Sequence, residues 1–140
     1  MEYIKMNWIL ALTFIVLFGF LLSGCDTHMD IQREYNFGVT LKKYHVTLPY
    51  GHSCTLVFDI QREGNYKNAR YYVQYFQSQG SGTLTMEDKR LYENTDYLIV
   101  EPDQPIKLSY TSLSEENEKM EILFTDNFGN RKEIEVTFKK

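Results

Sequence analysis

Few side chains of this sequence have the types and the spacing that catalysis or metal binding requires. The three histidines, His28, His45 and His52, are not spaced as metal ligands with one another or with a cysteine. A cysteine nucleophile needs a neighbouring base, and no motif supplies one for Cys54. We interpret Cys54 as a small apolar residue on the core face of a strand. We therefore predict no catalytic residue, no bound metal and no cofactor.

Two further segments could bind an ion or a phosphate, and neither has the required pattern. Residues 115–121, EENEKME, are acidic but lack the regular Asp/Asn spacing and the central glycine of a calcium loop. We expect a solvated loop that runs into a strand. Residues 80–82, GSG, precede no helix and so do not form a phosphate-binding loop. A net charge of −4 without a run of Lys and Arg argues against nucleic acid as a direct partner.

The amino-terminal segment has the pattern of an export signal. Residues 6–22, MNWILALTFIVLFGFLL, are almost wholly apolar, and Lys5 is the one basic residue before them. A basic start, an apolar run and a boundary of small residues form a secretory signal. The run is also near the lower length limit for a membrane-spanning helix, so an uncleaved anchor is the alternative. No basic residue follows until Arg33, which favours the cleaved signal.

The end of this signal contains the residue with the clearest chemistry. Leu22-Ser23-Gly24-Cys25 resembles a bacterial lipobox, in which the cysteine thiol receives a diacylglycerol and the chain is cut just before it. Several acyl chains on one residue give stable membrane attachment, whereas a single chain holds weakly. We predict a signal peptide over residues 1–24, a lipid-anchored tether over 25–33 and a domain over 34–140, with Cys25 as the lipidated residue.

The rest of the chain has the alternation of an all-β domain. Apolar and polar residues alternate in short runs that are separated by Gly, Pro, Asn and Asp. About seven or eight strands predict an immunoglobulin-like antiparallel β-sandwich, with a small barrel as the alternative. The segment DNFGNR should form a hairpin turn between the last two strands. The candidate strands are residues 44–48, 54–60, 69–77, 83–86, 97–100, 106–110, 120–125 and 134–138.

One candidate strand, ARYYVQYFQ, has more aromatic residues than a single buried face needs. Tyr71, Val73 and Tyr75 share one face, which we assign to the core because the other face includes an arginine and a glutamine. Tyr72 and Phe76 should then face solvent. Exposed aromatic residues on a sheet can mark a contact surface, although tyrosine also suits central strands for structural reasons alone. We predict that Tyr72 and Phe76 bind a partner.

Several segments together resemble one known family. They are IQREYNFGV, REGNYKNARYYVQYFQSQGSGTL, YTS at 110–112 and DNFGN at 126–130. With these the chain is similar to the TraQ-type lipoproteins encoded by conjugative transposons of gut anaerobes. The resemblance implies a single sandwich domain on a lipid anchor, encoded beside the genes of a mating apparatus. It implies no enzymatic activity, and Cys25 is the one site residue that carries over.

The resulting hypothesis is a non-enzymatic envelope lipoprotein, an accessory or structural component of a conjugative transfer apparatus. Its partners would be the membrane, through the lipid anchor, and an envelope protein of the transfer machinery, with no small-molecule substrate. It would be exported and lipid-anchored in the cell envelope, on the periplasmic face or at the outer membrane. The alternative is a lipoprotein that binds glycan or inhibits an envelope enzyme, and a domain without tryptophan is poorly suited to glycan.

Overall fold

The computed structural model describes residues 36–64 and 66–140, and this part of the chain consists of strands and connections. No described segment is a helix with the length and hydropathy that crossing a bilayer requires. The predicted signal, Cys25, His28 and the tether lie outside the described residues. The strands are β1 Phe37–Leu41, β2 Ser53–Arg62, β3 Tyr71–Gln79, β4 Gly82–Met86, β5 Lys89–Arg90, β6 Tyr97–Ile99, β7 Ile106–Ser112, β8 Glu118–Asp126 and β9 Arg131–Phe138.

These strands form two antiparallel sheets. The first has five strands in the order β1-β2-β7-β4-β5, and the second has four in the order β6-β3-β8-β9. The prediction of an immunoglobulin-like sandwich is confirmed, and the barrel alternative is wrong because the sheets are separate. The described chain has nine strands because β1 and the two-residue β5 add to the predicted set, while one predicted strand is absent.

The core lies between the sheets and follows the alternation of the sequence. Aromatic rings meet across it: the ring centroids of Phe58 and Phe124 are 5.1 Å apart, and Tyr110 stacks on Phe138 at 5.2 Å. Such pairs add to the free energy gained from apolar burial. The apolar residues with no exposed surface on the long strands are Leu56, Phe58, Val73, Leu108, Tyr110, Met120, Ile122, Phe124 and Val136.

The predicted strand over residues 44–48 is wrong. In the described part of the chain this segment makes one isolated parallel bridge, Thr47 with Lys139. The amide of Leu48 donates to the carbonyl of Lys139 at 2.9 Å, and the amide of Lys139 donates to the carbonyl of Val46 at 2.8 Å. Leu48 is buried but Val46, on the same predicted face, is exposed, so burial does not follow the alternation of the sequence. The segment lies beside the end of β9 and is not a strand within a sheet.

The hairpin between β8 and β9 is confirmed, and one side chain organises it. The carboxylate of Asp126 accepts hydrogen bonds from the amide of Phe128 at 2.9 Å and from the amide of Asn130 at 2.8 Å. Gly129 has φ 93°, a left-handed conformation that glycine adopts without strain. The turn is therefore specified by its own sequence.

The two ends of the sandwich, which we call proximal and distal, carry different groups of residues. At the proximal end, where β1 begins, the rings of Phe37 and Tyr71 are 5.2 Å apart, and the Arg62 guanidinium lies 5.9 Å from the centroid of Tyr71. At the distal end, β3 connects to β4 through residues 80–81, and β8 begins at Glu118. Each long strand runs between these two ends, so the outer faces of the sheets form the sides of the domain.

Candidate interaction surface

The central strand β3 separates a core face from an outer face as its sequence predicts. Tyr71, Val73 and Tyr75 are buried. Phe76 is 44% exposed, and Tyr72 is partly buried. The assignment of faces is therefore confirmed, and Phe76 is the more prominent of the two predicted contact residues.

Neighbouring strands extend this outer face on both sides of β3. In the register of the sheet, Tyr72 lies opposite Leu98 of β6 and Thr125 of β8, while Phe76 lies opposite Glu121. Leu98 is exposed. Directly opposed residues on one face of an antiparallel pair have side chains in contact range. The sheet thus places Leu98 on the same face as Tyr72 and Phe76, although Leu98 is distant from them in the sequence.

Leu123 gives this outer face an apolar floor. It lies opposite Gln74 on the solvent side of the sheet, yet it is only 9% exposed and is not part of the main core cluster. In the alternation of the candidate strand 120–125, Leu123 falls on the outward side, and no role was predicted for it. The sequence did contain an indication of this role, because a leucine among the outward-facing polar residues of a strand is unexpected.

A shallow depression with a charged rim lies over this floor. Its volume is about 210 Å³. Glu121 and Glu133 flank Leu123, and Arg131 adds a positive charge. Apolar residues surrounded by charged ones are typical of a binding surface. The residues that line the depression include Gln74, Phe76, Asn94, Glu121, Leu123 and Arg131.

One ion pair lies beside this depression on the same face. The Lys119 ammonium is 2.8 Å from the carboxylate of Glu135 on the adjacent strand β9. The hydrogen bond to Glu135 raises the pKa of Lys119 above its ordinary value, so the lysine stays protonated over the physiological range. The contact fixes the position of two charges at the surface.

The buried tyrosine hydroxyls are suited to hydrogen bonding rather than to proton transfer. Burial raises the pKa of Tyr75, whose hydroxyl donates to the carbonyl of Leu91 at 3.5 Å. Burial likewise raises the pKa of Tyr110 well above its ordinary range. Both hydroxyls therefore remain protonated at neutral pH, and neither can act as a phenolate base.

At the distal end, a buried carboxylate corrects one expectation from sequence. Glu118 belongs to the acidic run that we expected to be solvated, but it is 1% exposed. Its Oε1 accepts from the hydroxyls of Tyr110 at 2.8 Å and Ser112 at 3.0 Å, and its Oε2 accepts from the Lys140 ammonium at 2.8 Å. Gln77 in turn donates to the Tyr110 hydroxyl at 2.6 Å. These residues form the Glu118 cluster.

The Glu118 cluster connects the strand ends and loops of the distal end. Lys140 also donates to the carbonyl of Leu48 at 2.8 Å and to the Ser112 hydroxyl at 2.6 Å. A buried charge is costly unless it is paired and hydrogen-bonded, and Glu118 has such partners on each oxygen. The cluster therefore has a structural function in holding the distal end together.

Two further points from the sequence concern Cys54 and the metal-ligating side chains. Cys54 is buried in the core, with its sulfur 4.0 Å from the carbonyl oxygen of His45, in agreement with the interpretation from sequence. Among the described residues, no group of three His, Cys, Asp or Glu side chains is placed to hold a metal ion.

Comparison with known proteins points to one family. The sequence model of the family described as TraQ conjugal transfer protein matches residues 8–140. The crystal structure of a conjugative transposon lipoprotein from Bacteroides eggerthii matches this one with a TM-score of 0.69 and 26% sequence identity. The match covers 76% of this chain and 100% of that one. No curated protein sequence matches the chain.

Two solution structures from the same genus are similar to the same extent. A lipoprotein from Bacteroides thetaiotaomicron has TM-score 0.68 and 29% identity, covering 79% of this chain and 85% of that one. A conjugate transposon protein from Bacteroides vulgatus has TM-score 0.66 and 30% identity, covering 81% of this chain and 91% of that one.

Proposed function

The chain belongs to the TraQ conjugal transfer protein family, and from this premise we propose that it is a non-enzymatic lipoprotein of the cell envelope that serves conjugative transfer through protein–protein contacts. Two structurally similar proteins are described as lipoproteins, and two are described as conjugative or conjugate transposon proteins. Cys25, at the end of a lipobox-like segment, would carry the membrane anchor. The sandwich domain would then hold a partner of the transfer machinery close to the membrane.

The observation that carries the proposal is the outer face of the four-stranded sheet. Phe76 is exposed and lies on the same face as Tyr72, Leu98 and the apolar floor made by Leu123. Aromatic anchors near the centre of an interface contribute most of its binding free energy, and truncating one costs about 2 kcal/mol or more. A charged rim around these residues would give specificity for one partner.

Replacing both aromatic residues, Tyr72→Ala with Phe76→Ala, tests this face. A loss of about 2 kcal/mol in binding corresponds to roughly 30-fold weaker capture of the partner. We expect mating frequency and crosslinking of an envelope protein to fall together, while the melting temperature changes little because exposed truncations alter stability by about 0.5 kcal/mol each.

A second double variant, Tyr50→Ala with Leu113→Ala, is the matched control. These residues are also exposed but lie in loops at the distal end. Normal transfer with this control and reduced transfer with the first variant would support the outer face. The reverse result would place the contact at the distal loops. Unfolding of the first variant would show that Tyr72 and Phe76 stabilise the fold, and the proposed face would then be wrong.

A further inference from the structure

We propose that the proximal end of the sandwich rests directly on the membrane, through a patch that recognises anionic phospholipid. The inference builds on the proposed lipid anchor at Cys25 and adds an orientation to it. Three observations support it: the position of β1, a group of unpaired cations around it, and an exposed aromatic residue at the tip of the adjacent hairpin.

The chain leads from Cys25 into the domain at the proximal end. Ten residues, 26–35, lie between Cys25 and Asn36, the first described residue, so 36 − 25 = 11 Cα-to-Cα steps join the two. Eleven steps span at most about 40 Å, and the ten-residue strand β2 is itself about 33 Å long. A lipid on Cys25 therefore keeps the proximal end within reach of the bilayer, and the distal end reaches it only if the chain extends along nearly the whole domain.

Four exposed cations, which we call the basic patch, surround this end: Lys67, Arg70, Arg131 and Lys132. They come from the connection before β3 and from the start of β9. The side chain of Asn127 joins these segments, because its Oδ1 accepts from the Arg70 amide at 2.7 Å and its Nδ2 donates to the carbonyl of Asn68 at 2.9 Å.

The charges of the basic patch are available to a ligand. None of the four cations forms an ion pair with another residue in the described part of the chain. In the described part of the connection before β3 and of the hairpin between β8 and β9, Glu63 is the one exposed acid. The other acid, Asp126, is buried within the hairpin turn. Lys and Arg side chains at a membrane surface are attracted by anionic headgroups.

The hairpin between β8 and β9 adds an apolar group at the same end. Phe128 is 40% exposed at its tip. The hydrogen bonds that Asp126 accepts from the amides of Phe128 and Asn130 fix the shape of this tip. An aromatic ring beside basic residues is the combination that inserts at the boundary between headgroups and acyl chains.

Exposed acids lie at both ends of the sandwich, and their positions favour the β1 and β9 side of the proximal end. At the proximal end they lie in the connections that follow β4 and β6, at the opposite edges of the sheets from β1 and β9: Glu87, Asp88, Glu101 and Asp103. At the distal end, Glu115 and Glu116 are exposed in the loop that precedes β8. An anionic surface attracts the basic patch and repels these carboxylates, so the side of the proximal end where the chain enters would face the lipid. With the proximal end on the membrane, the strands stand away from the bilayer, and the outer face with Tyr72 and Phe76 points sideways, where a partner in the envelope can reach it.

Tryptophan fluorescence can measure which end meets the lipid. The lipidated chain, which has lost Trp8 with the signal peptide and so has no tryptophan of its own, is reconstituted into vesicles of phosphatidylcholine and phosphatidylglycerol with brominated acyl chains. One sample carries Phe128→Trp and the other carries Tyr50→Trp at the distal end. We expect bromine to quench the tryptophan at position 128 and not the one at position 50, and we expect less quenching with phosphatidylcholine alone or at high salt.

A charge variant tests the basic patch itself. Lys67→Gln with Lys132→Gln removes two charges and should lower the ratio of docked to undocked domain on the order of 30-fold at low salt. Lys43→Gln with Lys139→Gln removes the same charge elsewhere and should leave quenching unchanged. Equal quenching at both ends, or none at position 128 in a chain that floats with the vesicles, would overturn the inference. A chain that does not float would instead overturn the lipid anchor, and the orientation with it.

Discussion

At the scale of the residue, Glu118 shows how far a side chain's role depends on partners that are distant in sequence. It follows two acidic residues and an asparagine, and its neighbours Glu115 and Glu116 are exposed. Glu118 differs because it begins β8 on the core side, where Tyr110, Ser112 and Lys140 surround it. Sequence gives the charge of this run but not which member is buried, because that depends on the register of β8 against β3 and β9.

Replacing Glu118 by alanine should destabilise the domain strongly. Glu118→Ala leaves the Lys140 ammonium and the hydroxyls of Tyr110 and Ser112 without their shared acceptor, and removing one partner of a buried pair costs about 3 kcal/mol or more. Denaturant unfolding measures the loss. Glu116→Ala, at an exposed position in the same run, is the control and should change the free energy of unfolding by less than about 0.5 kcal/mol. Equal effects of the two substitutions would refute a structural role for the Glu118 cluster.

At the scale of the element, alternation predicts strands well where one face is buried. Strands β2, β3, β7 and β8 bury every second side chain and were predicted close to their observed bounds. Strand β1 was not predicted, because it is a short edge strand whose burial does not alternate cleanly. Residues 44–48 alternate in sequence without forming a strand, since the segment lies beside the end of β9, where Leu48 is buried but Val46 is exposed.

The glycines in the connection between β3 and β4 have a packing function. A side chain at Gly82 would overlap the ring and hydroxyl of Tyr110, and one at Gly80 would approach Cγ of Glu118 to 2.5 Å. Ser81 also donates to the carbonyl of Leu113 at 3.1 Å. The sequence GSG thus lets the connection lie directly against the Glu118 cluster.

Gly82→Ala should therefore displace Tyr110 and weaken the domain. Inserting a methyl group into a packed site typically costs about 1–3 kcal/mol, and we expect a loss in this range on thermal or denaturant unfolding. Gly38→Ala is the control, because the new methyl would meet the terminal oxygen of the Gln61 side chain at 3.2 Å, which can move aside. A Gly82→Ala domain as stable as the control would show that the connection is not constrained by Tyr110.

At the scale of the whole molecule, the distribution of charge could not be predicted from the sequence. The chain has a net charge of −4 and no run of Lys and Arg, from which we predicted that nucleic acid is not a direct partner. The basic patch forms because Asn127 joins two segments that are 59 residues apart at this contact. The aromatic pair on β3, in contrast, was predictable because the alternation within one strand is sufficient to assign its faces.

The anchor that would orient this charged molecule gives the last prediction. Cys25→Ala removes the thiol that would carry the diacylglycerol, so the precursor should remain uncut, migrate as a larger species and incorporate no labelled fatty acid. Cys54→Ala is the matched control, since it removes the chain's other cysteine from the core and should leave processing and labelling unchanged. Mating should fail with the first variant and continue with the second, because the proposed anchor at Cys25 is what would hold the domain at the envelope. Equal fatty-acid incorporation by Cys25→Ala and the unaltered protein would show that Cys25 is not the site of lipidation, and the short distance from lipid to β1 would then no longer explain an orientation on the membrane.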